Sequence, residues 1–287
     1  MSQALVAAGA FGLLALLAPL AGGTQTPPPS PAPTPKPAGT PNPCGGDTLL
    51  LSTLNRPTIG FSPCAAAAGT AITELGYFNA ANGNPGSGNA VQVGQPFIRF
   101  GAADRLELDL IPPNYNLVRS TGSPVQHGFA DGGVGMKFEL PPSARSVFGV
   151  DALLTFQTGS GGFSNGAPVA TVNLNQSYSM SPATGVGATA AFSSSAGPDA
   201  SGRIVRYFTF NPSAVLTAQV PGGTQFYGEL YYVSKVGPGG GSRTILNGGI
   251  QKLFGPHLEV DAEIGQTLYN AGAPRFHFFS FGVGIQT

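Results

Sequence analysis

Few residues in this 287-residue chain could carry chemistry: three histidines, two cysteines, and 13 basic and 13 acidic side chains. His127, His257 and His277 stand far apart along the chain. His277 and Ser280 differ in strand parity, so they cannot form the hydrogen-bonded pair a serine nucleophile needs. An esterase or phospholipase is therefore disfavoured, and the chain reads as a non-enzyme. The glycine-rich run at 237–241 precedes neither Lys-Ser/Thr nor a helix, so it is not a phosphate loop. No cofactor motif occurs. Two isolated cysteines fall short of the four closely spaced ligands of a structural zinc site. In an exported chain Cys44 and Cys64 point to a disulfide closing a loop of about twenty residues. Two free thiols are the alternative reading.

The charges matter through their spacing. In 105–110, Arg105, Glu107 and Asp109 alternate with Leu106, Leu108 and Leu110. In 258–264, Glu259, Asp261 and Glu263 alternate with Leu258, Val260, Ala262 and Ile264. Lys137 and Glu139 in 133–140, and Asp151 in 147–158, follow the same rule. Period two is the mark of a strand with one apolar face. Weaker alternation marks 70–79, 90–100, 167–180, 184–193, 205–220, 225–236, 243–254 and 276–287, for twelve strands in all.

The connections alternate too. Those at 101–104, 141–145, 181–183, 221–224 and 255–257 are short and turn-like. Those at 80–89, 111–132, 159–166, 194–204, 237–242 and 269–275 are longer. An even strand number with short turns at one end and longer loops at the other is the topology of an outer-membrane barrel. The expected fold is therefore all-β, a transmembrane antiparallel up-and-down β-barrel of about 12 strands over 70–287. The loop 111–132 is the candidate to fold inward as a constriction.

Ahead of the barrel, residues 4–21 are almost wholly apolar and are followed by small residues, as in a secretory signal peptide over 1–21. A retained membrane anchor is the alternative, and 18 residues holding Gly9, Gly12 and Pro19 are marginal for a span. Residues 22–43 are a Pro-rich linker, with nine prolines between Thr24 and Pro43. Residues 44–69 are expected as a periplasmic segment holding the disulfide. Composition agrees with a membrane barrel. Charged residues make up only 9% of the chain, against about a quarter in soluble domains. Their balance excludes a nucleic-acid binder, which needs a basic excess. At 41% hydrophobic residues the chain is not a disordered one.

The stretch Thr73-Glu74-Leu75-Gly76-Tyr77 and the stretch Phe97-Ile98-Arg99-Phe100-Gly101-Ala102-Ala103-Asp104-Arg105-Leu106-Glu107-Leu108 resemble a known bacterial family. So does the closing pattern from His257 to Gly265, with Ala273-Pro274 and Phe281-Gly282-Val283-Gly284. It is that of the outer-membrane barrels of the meta-pathway phenol-degradation (transporter) family. The resemblance covers about 70–287. It implies a barrel that passes small, often apolar or aromatic molecules across the outer membrane. Such barrels usually end in an aromatic residue read by the barrel-assembly machinery, whereas this chain ends Gly284-Ile285-Gln286-Thr287.

The lumen-facing candidates are Glu74, Arg99, Arg105, Glu107, Asp109, Lys137, Glu139, Asp151, Glu229, Glu259, Asp261 and Glu263, with Lys235 beside them. Arg99, Arg105 and Lys137 can pair with Glu107, Asp109, Glu139 and Asp151 and brace a narrow barrel. Glu259, Asp261 and Glu263 have fewer basic neighbours and are the candidates for solute selectivity. The expected function is a passive outer-membrane channel for small solutes, hydrophobic or aromatic ones among them, with the N-terminal arm in the periplasm. A non-conducting structural or adhesive surface barrel, and an exported soluble β-sandwich, are the alternatives. The implied partners are outer-membrane lipids, the barrel-assembly machinery and a small-molecule solute, with no nucleic acid and no cofactor.

Overall fold

The computed structural model describes residues 43–45, 49–82 and 88–287. The expected signal peptide (1–21) and all but the last residue of the linker (22–43) lie outside the described residues.

Alternation builds a single antiparallel sheet that closes on itself. Its strands are β1 (Ala71–Asn82), β2 (Asn89–Ala103), β3 (Leu106–Ile111), β4 (Tyr115–Arg119), β5 (Gln126–Phe129), β6 (Gly133–Glu139) and β7 (Ser146–Thr155). They continue with β8 (Val169–Ser179), β9 (Thr184–Pro198), β10 (Ile204–Val220), β11 (Thr224–Val233), β12 (Ser242–Leu253), β13 (Leu258–Ala271) and β14 (Phe276–Gln286). β1 pairs with both β2 and β14, which closes a barrel of twelve strands. β4 and β5 stand outside that count. Closure leaves no strand edge, so every wall residue can pair its backbone without water. Among the described residues no helix is long and apolar enough to cross a membrane.

The two faces of the wall are inverted relative to a soluble protein. Leu108 and Leu110 are 46% and 50% exposed, while Glu107 and Asp109 between them are 0% and 5% exposed. The same holds on β13, where Ile264 is 70% exposed beside Glu263 at 6%. Apolar side chains thus form the outer surface and charged ones the interior, the arrangement required where lipid is the solvent. Phe279, Phe281 and Ile285 of the last strand also point outward.

Several strands run further than their composition suggests. Residues 194–198 read as a polar loop, yet β9 continues to Pro198 in register with β10. Phe192 stacks on Phe210 just below that extension, 5.0 Å between ring centroids. The long connection 111–132 does not fold inward. Gln95, at φ 36°, and Gly94, at φ 93°, form a bulge in β2. Below it β2 pairs with β3, and above it Asn89–Val93 pair with β4. The β4–β5 hairpin therefore prolongs the sheet at the long-loop end.

The chain before β1 fills the lumen instead. Residues 44–69, expected as a separate periplasmic segment, are hydrogen-bonded to the inner wall of the barrel over 55–66. This plug begins with one helical turn, α1 (Leu49–Thr53). Its Leu50, Leu51 and Leu54 pack with Ala66, Ile72 and Leu253 in a small apolar core inside the barrel. Each leucine so buried contributes about 1.5–3 kcal/mol. Cys44 and Cys64 form a disulfide with Cα atoms 5.5 Å apart, closing the plug into a covalent ring.

Candidate functional site: the filled lumen

Strand parity delivers nine carboxylates but only two cations, Arg99 and Lys137, to the buried inner wall. Such an excess cannot stay dry unless other donors meet it. The plug supplies them through its backbone. Asn55 and Arg56 donate their N–H groups to the two oxygens of Glu74, at 3.2 and 2.8 Å. Ile59 and Gly60 donate to Glu229, both at 2.8 Å. Ala65 donates to Glu139 at 3.0 Å and Ala66 to Glu107 at 2.6 Å. Phe61 donates to Thr189 Oγ1 at 3.1 Å.

Arg99 is the hub of the wall. Its Nη1 donates to Thr53 O (2.5 Å) and Glu74 Oε1 (3.0 Å). Its Nη2 donates to Cys64 O (3.1 Å) and Glu107 Oε2 (2.9 Å), and Nε to Glu107 Oε1 (2.9 Å). One guanidinium thus binds two wall carboxylates and both arms of the plug. Its planar fork suits that task as a point-like ammonium does not. Lys137 lies 3.7 Å from Glu107 and 3.4 Å from Asp151, and donates to Asn55 Oδ1 at 3.3 Å. Asn175 Nδ2 also bonds Asp151.

The plug returns one cation. Arg56 reaches Asp261 at 3.3 Å and donates to Gln95 Oε1 (2.9 Å), Ser280 Oγ (2.9 Å) and Phe281 O (3.1 Å). Its carbonyl accepts from Gln251 Nε2 at 3.0 Å. A Cβ on Gly282 would collide with the Arg56 guanidinium, so the wall is bare where that group lies. Gly60 is the matching point on the plug, where a Cβ would strike Ser213 Oγ.

Of the lumen-facing candidates, Glu74, Arg99, Glu107, Asp109, Lys137, Glu139, Asp151, Glu229, Glu259, Asp261 and Glu263 are all buried on the inner face. Arg105 is not among them. It sits with φ 65° in the two-residue turn between β2 and β3, exposed, because the strand starts only at Leu106. Lys235 is likewise exposed in the loop after β11. The expected selectivity trio divides by partner. Asp261 is bound by Arg56, Glu263 accepts from Asn247 Nδ2 at 2.5 Å, and neither oxygen of Glu259 has a hydrogen-bond partner. Sequence reasoning missed Arg56, Gly60, Thr189 and Gln251. The signal available for them was the surplus of wall carboxylates facing a single arginine in the disulfide loop.

A space remains beside the plug. A cavity of ≈160 Å³ lies between the plug and the inner faces of β8–β12. Ser177, Thr189, Ser213, Thr217, Gln225 and Gln251 line it, and Arg56 is its only charged contributor. It runs from the short turn at 181–183 to Gly60 and Phe61, where the plug backbone meets the wall.

No family model matches the chain, and no curated protein matches it significantly. Among solved structures it is similar to an outer-membrane channel from Pseudomonas putida F1, at 15% identity with a TM-score of 0.60. That match covers 78% of this chain and 97% of the other. The NanC porin (12% identity, TM-score 0.49, 75% and 98% covered) and the CymD monoaromatic hydrocarbon channel (11%, 0.42, 77% and 89%) also match. The likeness to the first is one of fold.

Proposed function

We propose that this chain is an outer-membrane channel that passes small solutes by passive diffusion, with its short turns and its plug's tether on the periplasmic side. The observation that carries the reading is the pairing of a lipid-type exterior with a closed polar lumen. That lumen is only partly filled, and the residual cavity is lined by hydroxyl and amide groups interspersed with apolar ones such as Leu51, Phe61 and Val215, with Arg56 its charged contributor. Such a lining favours uncharged solutes over ions. The residue patterns shared with the meta-pathway phenol-degradation family, and the likeness to channel barrels, support the same reading. Asp261 then seats the plug through Arg56, and Glu259 and Glu263 act on lumen electrostatics rather than as a filter.

Liposome swelling tests this. Reconstituted protein is expected to admit small uncharged solutes and exclude ions of equal size. Deleting 49–63, with Cys44 and Cys64 replaced by serine, should raise single-channel conductance several-fold. A barrel that stays silent to every solute even without residues 49–63 overturns the channel reading. That outcome would favour a non-conducting surface barrel, which the clamped plug otherwise supports only as a resting state.

A further inference from the structure

Arg243 lies on the inner face of β12, in step with Ile245, Asn247 and Gln251, near the long-loop end. Among the described residues it is the lumen cation that nothing neutralises. Arg56, Arg99 and Lys137 each stand within 4.0 Å of a carboxylate, and Arg243 does not. Its Nε is buried without an acceptor. The register places the nearest wall acids deeper. Glu229 lies across from Asn247, and Glu263 across from Gly249.

The surroundings of Arg243 are aromatic. Its guanidinium carbon lies 4.4 Å from the centroid of the Phe276 ring. Phe276 is 5.7 Å from Phe278, and Phe278 is 5.0 Å from Phe78. The three rings share the inner faces of β14 and β1 with Ser280 and Glu74, so they descend from the mouth toward the plug. A guanidinium with one face on a ring keeps its in-plane N–H groups for a ligand. The ligand that matches a planar fork with unspent donors is a carboxylate, bound through two parallel hydrogen bonds. The ring ladder below takes an apolar body.

We propose that Arg243 and the Phe276–Phe278–Phe78 ladder form a docking site for small monocarboxylates with an apolar body. The site goes beyond the channel reading, because it holds an anion at the long-loop end, apart from the cavity near the short turns, and its test is independent of conduction. Fluorine NMR on the full chain in detergent micelles would compare binding of 4-fluorobenzoate with that of uncharged 4-fluorobenzyl alcohol. The native chain is expected to bind the carboxylate about tenfold more tightly. Arg243→Gln should abolish that preference and leave alcohol binding unchanged, while Arg243→Lys keeps part of it and Phe276→Leu weakens both ligands. Heat-modifiable migration verifies that each variant is folded. No carboxylate preference in the native chain overturns the site, as does a preference that survives Arg243→Gln. A chain that shows the Arg243-dependent preference but conducts nothing upholds the site and sinks only the channel. A chain that conducts without that preference does the reverse.

Discussion

The inner wall consists of two contiguous arcs of unlike chemistry. From β13 through β14, β1, β2, β3 and β6 to β7 it carries Glu259, Asp261, Glu263, Glu74, Arg99, Glu107, Asp109, Lys137, Glu139 and Asp151. From β8 to β12 it carries Asn173, Asn175, Thr189, Ser193, Thr209, Ser213, Gln225, Asn247 and Gln251, with Glu229 its one buried acid and Arg243 only at the long-loop end of β12. The charged arc takes most of the plug's backbone donors and Arg56. The neutral arc borders the cavity. Charge in this lumen is thus a means of seating a segment, while hydroxyls and amides line the space that remains. The grip falls on backbone N–H groups, so most plug side chains are free of it.

The largest effect should come from the hub of the charged arc. Arg99→Met strands Glu107, Glu74 and two plug carbonyls, and breaking a buried pair in this way costs about 3–5 kcal/mol. Urea unfolding in bilayers would measure it. Thr209→Val on the neutral arc should cost only about 1 kcal/mol, and equal losses would erase the distinction between the arcs. Next, replacing Cys44 and Cys64 together by serine should lower protection of the Ile59–Ala66 amides from hydrogen exchange by roughly 3 kcal/mol. Unchanged protection would mean that the wall clamp alone seats the plug. Ser177→Leu should fill the cavity, cutting uncharged-solute flux several-fold while leaving the unfolding midpoint within experimental scatter. Slower flux after a substitution on β3 or β6, and none after this one, would move the passage to the charged arc.

A milder test uses the same acid-to-backbone chemistry outside the membrane. Asp131 accepts from Gly159 N (2.9 Å), Asn165 N (2.8 Å) and Asn165 Nδ2 (3.1 Å). Burial pushes its carboxyl up, but the Asn165 and Gly159 donors outweigh that, and its pKa is lowered. A depressed carboxylate stabilises above its unfolded pKa, so the loop 159–166 should resist protease at neutral pH. Resistance should fall only below about pH 4, as Asp131 protonates. Loss already at pH 6 would remove Asp131 from that role. The smallest effect is expected at Glu259, whose oxygens have no hydrogen-bond partner. Glu259→Gln should cause no loss of stability, because it removes a buried charge that no donor meets. A large loss there would show that the unbonded acid belongs to the clamp.

The barrel was legible because its signal is local and repeated. Leu106 to Leu110 and Leu258 to Ile264 each announce a strand, and loop parity supplies the order. Inside and outside were not legible from alternation alone; loop parity and the export signal tipped the choice to a membrane barrel, which puts Glu107 and Asp109 in the lumen. The plug was not legible. Asn55 to Ala66 has no periodicity, and its donors are backbone N–H groups, which every residue except proline has and no sequence pattern marks. Arg105 misled for a related reason. Alternation continues formally through it, but a two-residue hairpin turn takes its backbone out of the strand. The inward-folding loop was expected at 111–132 because length was the only cue, whereas the Gly94–Gln95 bulge sends that stretch onto the barrel's rim.

The disulfide has a mechanical consequence. It bridges the point where the chain enters the plug and the point where it leaves for β1. Tension applied to the chain ahead of Cys44 therefore passes through the sulfur atoms to Cys64 and on through the clamped Ala65 and Ala66 toward the first strand. The ring from 45 to 63 carries none of that load, and a pull on the arm cannot unthread it residue by residue. Only after the bond is cut does the same pull reach Leu49 and peel the plug from its carboxylates one amide at a time.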